Sequence, residues 1–383
     1  MSRPKVLLVT NFASHYRAPL FELMHERLGA EFIFFSKGGE EYWQPHLGVT
    51  EGRFPGVTVE SGPALGKVRF NTELWREIRS REFDVMVKCM NGRVELPLAY
   101  AASRRAQAAF VLWTGMWMHP RSAFHTLSRP FTRWMYAHAD AVVTYGDHVS
   151  RFVVAEGADA CGVFRAENAT DNALYSRAVA TDEVEAFSKR FGLTGAPVVL
   201  AVSRLVQQKG LDVLLQAVSA HPELRPQVLI VGTGPGATQL RQRAASLGVD
   251  LVLVGGLTPD EMPPIYALAD VLVMPSVTTR TVKETWGLAC NEAMCQGVPV
   301  IATDAVGAAA GGLVVDGSTG LVVPEQDAGA LGAALHRVLG DPALASRLGE
   351  AGRARVQRTD YRGMVDAFEL AISHALETRG AGS

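Results

Sequence analysis

The stretch Pro197-Val-Val-Leu-Ala-Val202-Ser-Arg-Leu-Val-Gln-Gln-Lys-Gly210-Leu211 shows how this chain is built. An apolar run with the length of a buried strand leads into a short polar loop, and apolar residues with helical spacing follow over 211–220. Strands and helices that alternate in this way predict a parallel sheet with right-handed crossovers. Ligands bind such sheets beyond the carboxyl ends of the strands, so binding residues are expected in the loops that follow strands.

The same alternation runs through both halves of the chain. Strands are predicted over 5–10, 31–35, 83–90, 108–113, 141–145, 197–202, 227–231, 250–254, 271–274, 298–302 and 320–323. At 383 residues the chain is too long for one ordinary core. We therefore predict an α/β protein of two Rossmann-like parallel-sheet domains, 1–175 and 176–359, that face each other across an interdomain cleft. The last helix, about 360–378, is a candidate to pack back on the first domain.

Composition narrows the class of protein. The net charge of −2 and the pI near 6.6 provide no basic field, which argues against nucleic acid as the main partner. The four cysteines form no Cys-x-x-Cys pair, so we interpret them as core residues in a reducing compartment, not as disulfides or zinc ligands. The first apolar run is too short for a signal peptide, and no run reaches the ~18 residues of a membrane span. We expect a cytoplasmic protein with no metal and no bound cofactor.

Two cations follow the strand over 197–202. Arg204 and Lys209 stand five positions apart in a strand-to-helix loop that begins at Ser203. A planar guanidinium fork and an ammonium point charge can converge there on a diphosphate, with backbone donors from the next helix N-terminus. Spacing alone leaves open that both are solvated surface cations.

Two acids frame Glu284-Thr-Trp-Gly287-Leu288-Ala-Cys-Asn-Glu292. A helix predicted over 288–295 places Glu292 one turn in, and Glu284 lies in the loop before it. Gly287 lets the backbone approach closely, and unsatisfied N–H groups near Gly287 and Leu288 suit phosphate oxygens. The pair suits a sugar nucleotide, with one acid on sugar hydroxyls and the other on ribose hydroxyls. A surface acid and a helix-capping acid are the alternative.

A glycine-rich loop, Val231-Gly232-Thr-Gly234-Pro235-Gly236, lies between a predicted strand and a predicted helix. It matches a dinucleotide-binding fingerprint only loosely, because Pro235 and the spacing of the third glycine do not fit. A tight turn that lets another backbone pass close, under a ribose or phosphate, is the simpler interpretation.

Several segments together resemble one known family. They are Arg204…Lys209-Gly210, Gly232-Thr-Gly234-Pro, Ala269-Asp270 through Pro275-Ser276, the Glu284–Glu292 motif with Gly297-Val-Pro-Val-Ile, and Asn168-Ala-Thr-Asp171. They are similar to the retaining glycosyltransferase family 4, the group 1 glycosyltransferases of the GT-B fold. The resemblance is densest over 165–325 and weak over the first 160 residues, where acceptors are recognised.

The resemblance implies a role for each matching position. Arg204 and Lys209 would neutralise the donor diphosphate in place of a metal ion, and Glu284 would bind hydroxyls of the transferred sugar. Gly287 and Leu288 would offer N–H groups to the phosphates, and Glu292 would bind the ribose. Ser203, Gly232 and Gly234 would line the donor site. Transfer with retention by a front-face route would need no protein nucleophile.

The first domain departs from the family pattern. The frequent Gly-Gly acceptor loop is replaced by Asn11-Phe-Ala-Ser-His15-Tyr16-Arg17, so these polar residues are the acceptor-side candidates. Family members often place a histidine from a first-domain loop against the donor sugar. His119 and His15 are both candidates for that place, and a purely structural histidine is the alternative.

The stretch 104–136 carries five arginines and half of the six tryptophans, and no acid stands between Glu95 and Asp140. Basic residues mixed with aromatics suit an anionic membrane surface or a lipid-linked acceptor. Tryptophans that pack one side of a helix while the arginines face water are the alternative, and it is slightly favoured.

We predict a retaining glycosyltransferase that moves a hexose from a nucleotide-diphosphate sugar, such as a UDP-sugar, to an acceptor hydroxyl in polysaccharide, glycolipid or glycosylated-metabolite biosynthesis. A sugar-nucleotide epimerase or hydrolase, a nicotinamide-dependent oxidoreductase and a non-catalytic sugar-nucleotide-binding protein are the alternatives. Base, sugar, acceptor and oligomeric state are not fixed by the sequence.

Overall fold

The computed structural model describes residues 3–36, 52–59, 64–65, 68–69 and 71–380. Backbone contacts divide the chain into two compact units. The first unit comprises Met1–Gly115, Leu127–Glu167 and Tyr361–Ser383, and the second comprises Met116–Thr126 and Asn168–Asp360. Residues 116–126 and 168–175, assigned to the first domain in the sequence analysis, are thus grouped with the second unit.

The first unit is built on a seven-stranded parallel sheet in the order β3-β2-β1-β6-β7-β8-β9. The strands are β1 Val6–Thr10, β2 Glu31–Phe34, β3 Gly56–Thr58, β6 Val85–Cys89, β7 Ala109–Thr114, β8 Ala141–Thr144 and β9 Val163–Arg165, and a separate two-stranded piece is β4 Ala64–Leu65 with β5 Val68–Arg69. Every residue of β1 and β7 is buried, as expected of a parallel sheet covered on both faces.

The helices of the first unit follow its strands. They are α1 Ala18–Leu28, α2 Thr72–Arg79, α3 Glu95–Arg105, α4 Ala123–His138, α5 Asp147–Ala155 and the last helix, α15 Tyr361–Gly380. The order of strands reverses between β1 and β6, because the chain moves from β1 to one edge and from β6 to the other. This switch point is where a doubly wound sheet opens a crevice for ligands.

The second unit has a six-stranded parallel sheet in the order β12-β11-β10-β13-β14-β15. Its strands are β10 Val198–Val202, β11 Gln227–Val231, β12 Asp250–Gly255, β13 Val271–Met274, β14 Val300–Thr303 and β15 Leu321–Val323. Its helices are α6 Asn172–Tyr175, α7 Thr181–Arg190, α8 Leu211–Ser219, α9 Ala237–Leu247, α10 Met262–Ala267, α11 Ala289–Cys295, α12 Gly307–Ala310, α13 Ala328–Gly340 and α14 Pro342–Val356. The switch point lies between β10 and β13.

Two parallel sheets with helical crossovers confirm the predicted Rossmann-like architecture. The predicted strands are present, with ends that move by one or two residues in most cases. Helix α7 was not predicted, because it buries no residue and its polar sequence resembles a linker.

Helix α15 packs on the first unit. Phe368 is fully buried, and its ring meets the ring of Trp113 in β7 edge to face at 5.1 Å. At the surface, Arg27 of α1 pairs with Asp366 and Glu369 at 2.7 and 2.6 Å. Aromatic burial, together with these ion pairs, ties the end of the chain to its beginning.

Phe368→Ala should therefore weaken the first unit. We expect the free energy of unfolding to fall by about 3–5 kcal/mol, because a large buried ring leaves a cavity. Urea unfolding followed by circular dichroism measures it. Leu370→Ala, at a position of the same helix that is 62% exposed, is the control and should stay within about 0.5 kcal/mol of the wild type. Equal losses in both variants would contradict this packing.

Candidate functional site

The loop after β10 carries Ser203, Arg204 and Lys209 and is held by the glycine-rich loop after β11. Ser203 N–H donates to Val231 at 3.0 Å, and Leu205 N–H donates to Thr233 at 2.9 Å. A side chain on Gly232 would lie 2.0 Å from the carbonyl oxygen of Ser203.

Gly234 is constrained in the same way as Gly232, because a side chain added there would lie 2.6 Å from the carbonyl oxygen of Leu205. The glycines let two binding loops pass close to each other, which accounts for their spacing without a dinucleotide.

Lys209 and Glu284 form an ion pair at the carboxyl end of the second sheet. Both side chains are mostly buried, at 14% and 17% exposure, and Ser276 Oγ donates to the same carboxylate oxygen at 3.3 Å. Burial acts to raise the pKa of Glu284, but the Lys209 ammonium, the hydrogen bonds and the charge of Arg204 outweigh it and hold this pKa below its ordinary value. The carboxylate is therefore ionised, and it shares its surroundings with two cations.

Glu292 has a different environment. The hydroxyl of Tyr266 donates to its carboxylate, and burial raises the pKa of Glu292 to about 7 despite hydrogen bonds from Tyr266 and Tyr175. No cation contributes to this pKa. The two acids of one motif are thus electrostatically distinct: Glu284 is compensated by charge and Glu292 by neutral hydroxyls.

The backbone between the two acids presents donors. Gly287 has a φ of +96°, a left-handed conformation that favours glycine, and a side chain there would press on Met274 and Val306 at 3.0 and 3.2 Å. The N–H groups of Gly287 and Leu288 donate to no other residue in the part of the chain that is described. Leu288 caps helix α11 without a side-chain hydrogen bond. These N–H groups are available to an anionic ligand.

A buried amide positions α11. Asn291 accepts from Trp286 Nε1 at 2.8 Å and donates to the carbonyl oxygen of Asn168 at 3.1 Å. Asp171 caps α6, which carries Tyr175 against Glu292. The segment Asn168-Ala-Thr-Asp171 therefore supports the Glu292 side of the motif through hydrogen bonds.

A segment from the first half of the chain also contributes. Trp117 Nε1 donates to the carbonyl oxygen of Glu284 at 2.8 Å, and the Lys283 ammonium lies 3.9 Å from the centre of the Trp117 ring. Arg121 N–H donates to the carbonyl oxygen of Arg280 at 2.6 Å. Residues 116–126 are grouped with the second unit because of contacts of this kind.

His119 lies in the same segment. Its Nε2 is 2.7 Å from the carbonyl oxygen of His125, which can only accept, so Nε2 carries a proton. Its Nδ1 is buried and has no hydrogen-bond partner among the described residues. In the neutral ring Nδ1 is an acceptor, which suits a ligand hydroxyl. Its rival His15 belongs to the first unit, where its ring lies against Tyr16.

The other acceptor-side candidates also lie in the first unit. Asn11 follows β1, and His15, Tyr16 and Arg17 form a short 3-10 helix. Arg17 is buried and packs its guanidinium over the rings of Tyr16, Trp113 and Tyr145, with a hydrogen bond to the Tyr145 hydroxyl at 3.1 Å. Arg17 is therefore a buried charge held among aromatic rings, and its role as an acceptor-side residue stays a prediction.

Three contacts of the site were not found from the sequence. Tyr266 beside Glu292, Trp117 beside Glu284 and Asn291 beneath both come from other elements or from an apolar helix run, and no spacing signals them. In the described part of the chain, no group of three or more His, Cys, Asp or Glu side chains is placed to hold a metal ion. None of the described helices is long and apolar enough to cross a membrane.

The pattern of one known family, described as "Glycosyl transferases group 1", matches residues 183–355. Over these residues the chain is similar to the group 1 glycosyltransferases. The match contains both cations, the glycine-rich loop and both acids of the site.

Two similar proteins indicate the range of relatives. A GDP-mannose-dependent alpha-(1-6)-phosphatidylinositol monomannoside mannosyltransferase of Mycolicibacterium smegmatis is 40% identical over 174 residues, 43% of this chain and 44% of that protein. A 2-deoxystreptamine glucosyltransferase of Streptomyces kanamyceticus is 32% identical over 263 residues, 65% of this chain and 64% of that protein. The aligned region thus spans less than half of the mannosyltransferase's length.

A solved structure extends the likeness to the whole chain. Anabaena HepE in complex with UDP and glucose superposes with a TM-score of 0.77 at 20% identity, over 97% of this chain and 99% of that one. At this identity the likeness shows the fold, which confirms the predicted GT-B class.

The raised pKa of Glu292 can be tested by measuring how stability depends on pH. Its raised pKa means that its contribution to stability is fully present below the unfolded value of 4.5 and is lost as pH rises through about 7. Glu292→Gln removes this titration. We expect the variant to gain about 1–3 kcal/mol of unfolding free energy relative to wild type between pH 5 and pH 8, measured by chemical denaturation.

Glu183→Gln is the control for this measurement. Arg177 holds the pKa of Glu183 below its ordinary value, so loss of this carboxylate removes stability that is present above 4.5. The relative stability of this variant should therefore fall as pH rises towards 4.5 and stay level between pH 5 and pH 8. A Glu292→Gln variant that follows the same direction would contradict the assignment.

Proposed function

We propose that this protein transfers a glycosyl group from a nucleoside diphosphate sugar to an acceptor hydroxyl. The observation that carries the proposal is the Lys209–Glu284 ion pair, with Arg204 close enough to shift the same carboxylate. A nucleoside diphosphate sugar needs cations for the diphosphate and acceptors for sugar hydroxyls within a few ångströms of each other. This cluster supplies both.

Each site residue has a place in this proposal. Arg204 binds the diphosphate with its planar fork, and Lys209 uses one N–H for Glu284 and its others for phosphate. The N–H groups of Gly287 and Leu288 bind phosphate oxygens. Ionised Glu284 accepts hydroxyls of the transferred sugar.

The proposed reaction has a simple balance. The bond between the anomeric carbon and the diphosphate oxygen breaks, and its electron pair leaves with the diphosphate. The acceptor oxygen forms the new bond to the anomeric carbon, and its proton passes to a diphosphate oxygen on the same face. Retention of configuration follows from this route. Cationic side chains stabilise the leaving charge, which is the task a divalent metal would otherwise perform.

The next question is which nucleotide sugar is the donor. The Mycolicibacterium mannosyltransferase is 40% identical to this chain over a region that covers 43% of it, and that relative is named GDP-mannose-dependent. The family match covers residues 183–355, which contain the proposed donor-side residues. We therefore propose GDP-mannose as the first donor to test, ahead of the UDP-sugar expected from the sequence.

A direct assay tests the activity. The protein is incubated with GDP-mannose or UDP-glucose, alone and with polyol, saccharide and lipid acceptors, and nucleoside diphosphate release and product configuration are followed by NMR. Acceptor-dependent release with a retained anomeric centre supports the proposal. Conversion of donor without acceptor would support an epimerase or hydrolase, and activity that collapses with a chelator would refute metal independence.

Glu284→Gln should separate donor binding from transfer. Loss of the carboxylate removes the acceptor for sugar hydroxyls and the partner of Lys209, so we expect transfer to fall at least about 100-fold, on the order of 3 kcal/mol. Nucleoside diphosphate binding, measured by thermal shift, should persist. Glu183→Gln removes a carboxylate from another ion pair of the same unit and should leave transfer unchanged. Full activity in Glu284→Gln would refute the role.

We further propose that the first unit contacts an anionic membrane surface through one stripe of α4, defined by Leu127, Phe131 and Trp134. These three apolar side chains are 85%, 39% and 41% exposed and recur at helical spacing. Phe131 and Trp134 stack at 6.0 Å, and Arg133 beside them is exposed. Aromatic and basic residues on one helix face suit a lipid headgroup region.

Two of the three tryptophans in 104–136 do not support this contact. Trp113 is buried in β7 and Trp117 binds Glu284, so neither can meet a membrane in this arrangement. Trp134 remains, and the apolar face of α4 around it is exposed. The burial of Trp113 in a core strand agrees with the alternative interpretation, whereas the exposed face around Trp134 supports the membrane contact.

Phe131→Ser with Trp134→Ser should abolish vesicle binding. We expect the wild-type protein to co-sediment with vesicles that contain phosphatidylglycerol and less with pure phosphatidylcholine, and the double variant to lose at least about tenfold in affinity. Leu370→Ser, an exposed leucine of the same unit outside the stripe, is the control. Absence of salt-sensitive binding by the wild type would refute the membrane contact.

A further inference from the structure

One side chain from the first half of the chain holds the backbone at Glu284. The indole N–H of Trp117 donates to the carbonyl oxygen of Glu284 at 2.8 Å, although the two residues stand 167 positions apart. The face of the same ring carries the Lys283 ammonium, 3.9 Å from the ring centre. Trp117 thus holds two consecutive residues of the loop after β13, one with the edge of its ring and the other with the face.

The segment around Trp117 lies along this loop. Arg121 N–H donates to the carbonyl oxygen of Arg280 at 2.6 Å, so residues 117 and 121 meet residues 284 and 280 in turn. The two stretches therefore run in opposite directions, and both belong to the second unit. The contact between Trp117 and Glu284 is thus one end of a longer run of contacts along the loop.

The start of α12 holds the same part of the loop. Glu284 forms an isolated parallel β-bridge with Val306, the residue before α12. Gly307 follows it, and a side chain there would lie 2.1 Å from the carbonyl oxygen of Thr285. The backbone at 284–285 therefore rests closely on α12, and Trp117 adds a contact from a distant segment of the chain.

The side chain of Glu284 is restrained at its tip as well. Lys209 pairs with the carboxylate, and Ser276 Oγ donates to it at 3.3 Å. Contacts at both the tip and the backbone restrict where the carboxylate can lie. Loss of the Trp117 bond would free one end of this arrangement while the ion pair persists. A shift of about 1 Å in a group that contacts a reacting ligand can cost on the order of 100-fold in rate.

We propose that Trp117 is a positioning residue for Glu284. Its N–H and its ring face set the backbone at 283–284, and this backbone sets where the Glu284 carboxylate meets the hydroxyls of the transferred sugar. Trp117 acts through Glu284 and has no part in binding the diphosphate. The inference rests on the proposed function for the role of Glu284 towards the sugar.

The experiment measures nucleotide binding and transfer separately on the full chain. Titration calorimetry gives the Kd for GDP-mannose and GDP, and for UDP-glucose and UDP, and the ratio within each pair reports contact with the sugar. Trp117→Phe keeps a ring beneath Lys283 and removes the N–H. Lys283→Met removes the cation and keeps the hydrogen bond. Trp75→Phe is the matched control, because Trp75 is a half-buried tryptophan of the first unit with the Arg79 guanidinium 5.8 Å from its ring centre.

We expect Trp117→Phe to raise the Kd ratio of the nucleotide sugar that the wild type binds more tightly by roughly five- to tenfold. The kcat should fall by a similar factor, because one hydrogen bond to the backbone of the sugar-binding acid is lost. The Kd for GDP or UDP and the acceptor KM should stay within about twofold of the wild type. Lys283→Met should act in the same direction by roughly two- to threefold, and it gives the same readouts if Trp117→Phe does not fold. Trp75→Phe should change none of these values.

A double variant separates positioning from general damage to the fold. When Trp117→Phe is combined with Glu284→Gln, it should add little to the loss of kcat, because it acts through a carboxylate that is then absent. Damage to the fold would instead lower the melting temperature and the affinity for GDP, and its effect would add to that of Glu284→Gln.

Several results would overturn the inference. An unchanged Kd ratio and kcat in Trp117→Phe, an equal loss of affinity for GDP and GDP-mannose, or full additivity with Glu284→Gln would each refute it. A ratio that depends on Trp117, without transfer to any acceptor, would keep this inference and refute the proposed transfer. Equal transfer by the wild type and Trp117→Phe would keep the proposed function and refute the inference. A wild type that binds none of the four nucleotides would refute both.

Discussion

The ion pair between Lys209 and Glu284 is the contact on which the candidate donor site depends. It joins the loop after β10 to the loop after β13, which are the two strands at the switch point of the second sheet. Breaking a mostly buried pair by removing one partner leaves an uncompensated charge, which costs far more than an exposed pair contributes. The pair therefore fixes the relative position of the two loops while it holds both groups in their charged forms.

Charge compensation also separates the tasks of the two cations. The charge of Lys209 is balanced by Glu284 in a direct ion pair, whereas Arg204 acts on the same carboxylate through its charge. A diphosphate carries more than one negative charge, and cationic side chains and the N–H groups at Gly287 and Leu288 can bind it together. Glu292, held by Tyr266 without a cation, adds no such attraction and suits neutral hydroxyls. The motif thus has two electrostatically different ends, a charged one at Glu284 and a nearly neutral one at Glu292.

The parts of this picture that could be predicted from the sequence are those with a local signal. Apolar runs predicted the strands. Spacing made Arg204, Lys209 and the two acids candidates, and the family resemblance gave each of them a role. Tyr266 and Trp117 had no such signal, since their contacts join segments 26 and 167 residues apart. Helix α7 was missed for the opposite reason, because its polar sequence carries no apolar stripe. Long-range contacts, and helices that bury no residue, leave no periodic pattern in the sequence and therefore could not be predicted from it.

Each unit has a mostly buried lysine near the carboxyl end of a central strand, Lys88 within β6 and Lys209 in the loop after β10, and their partners differ. Lys209 meets a carboxylate in a direct ion pair, whereas Lys88 donates its hydrogen bonds to three neutral oxygens. A methionine would fill the place of Lys88 without the cost of burying an ammonium. A buried charge of this kind can orient polar groups, and Lys88 holds both the main-chain and the side-chain oxygen of Asn91. The same residue type is thus held by a carboxylate in the second unit and by amide and carbonyl oxygens in the first.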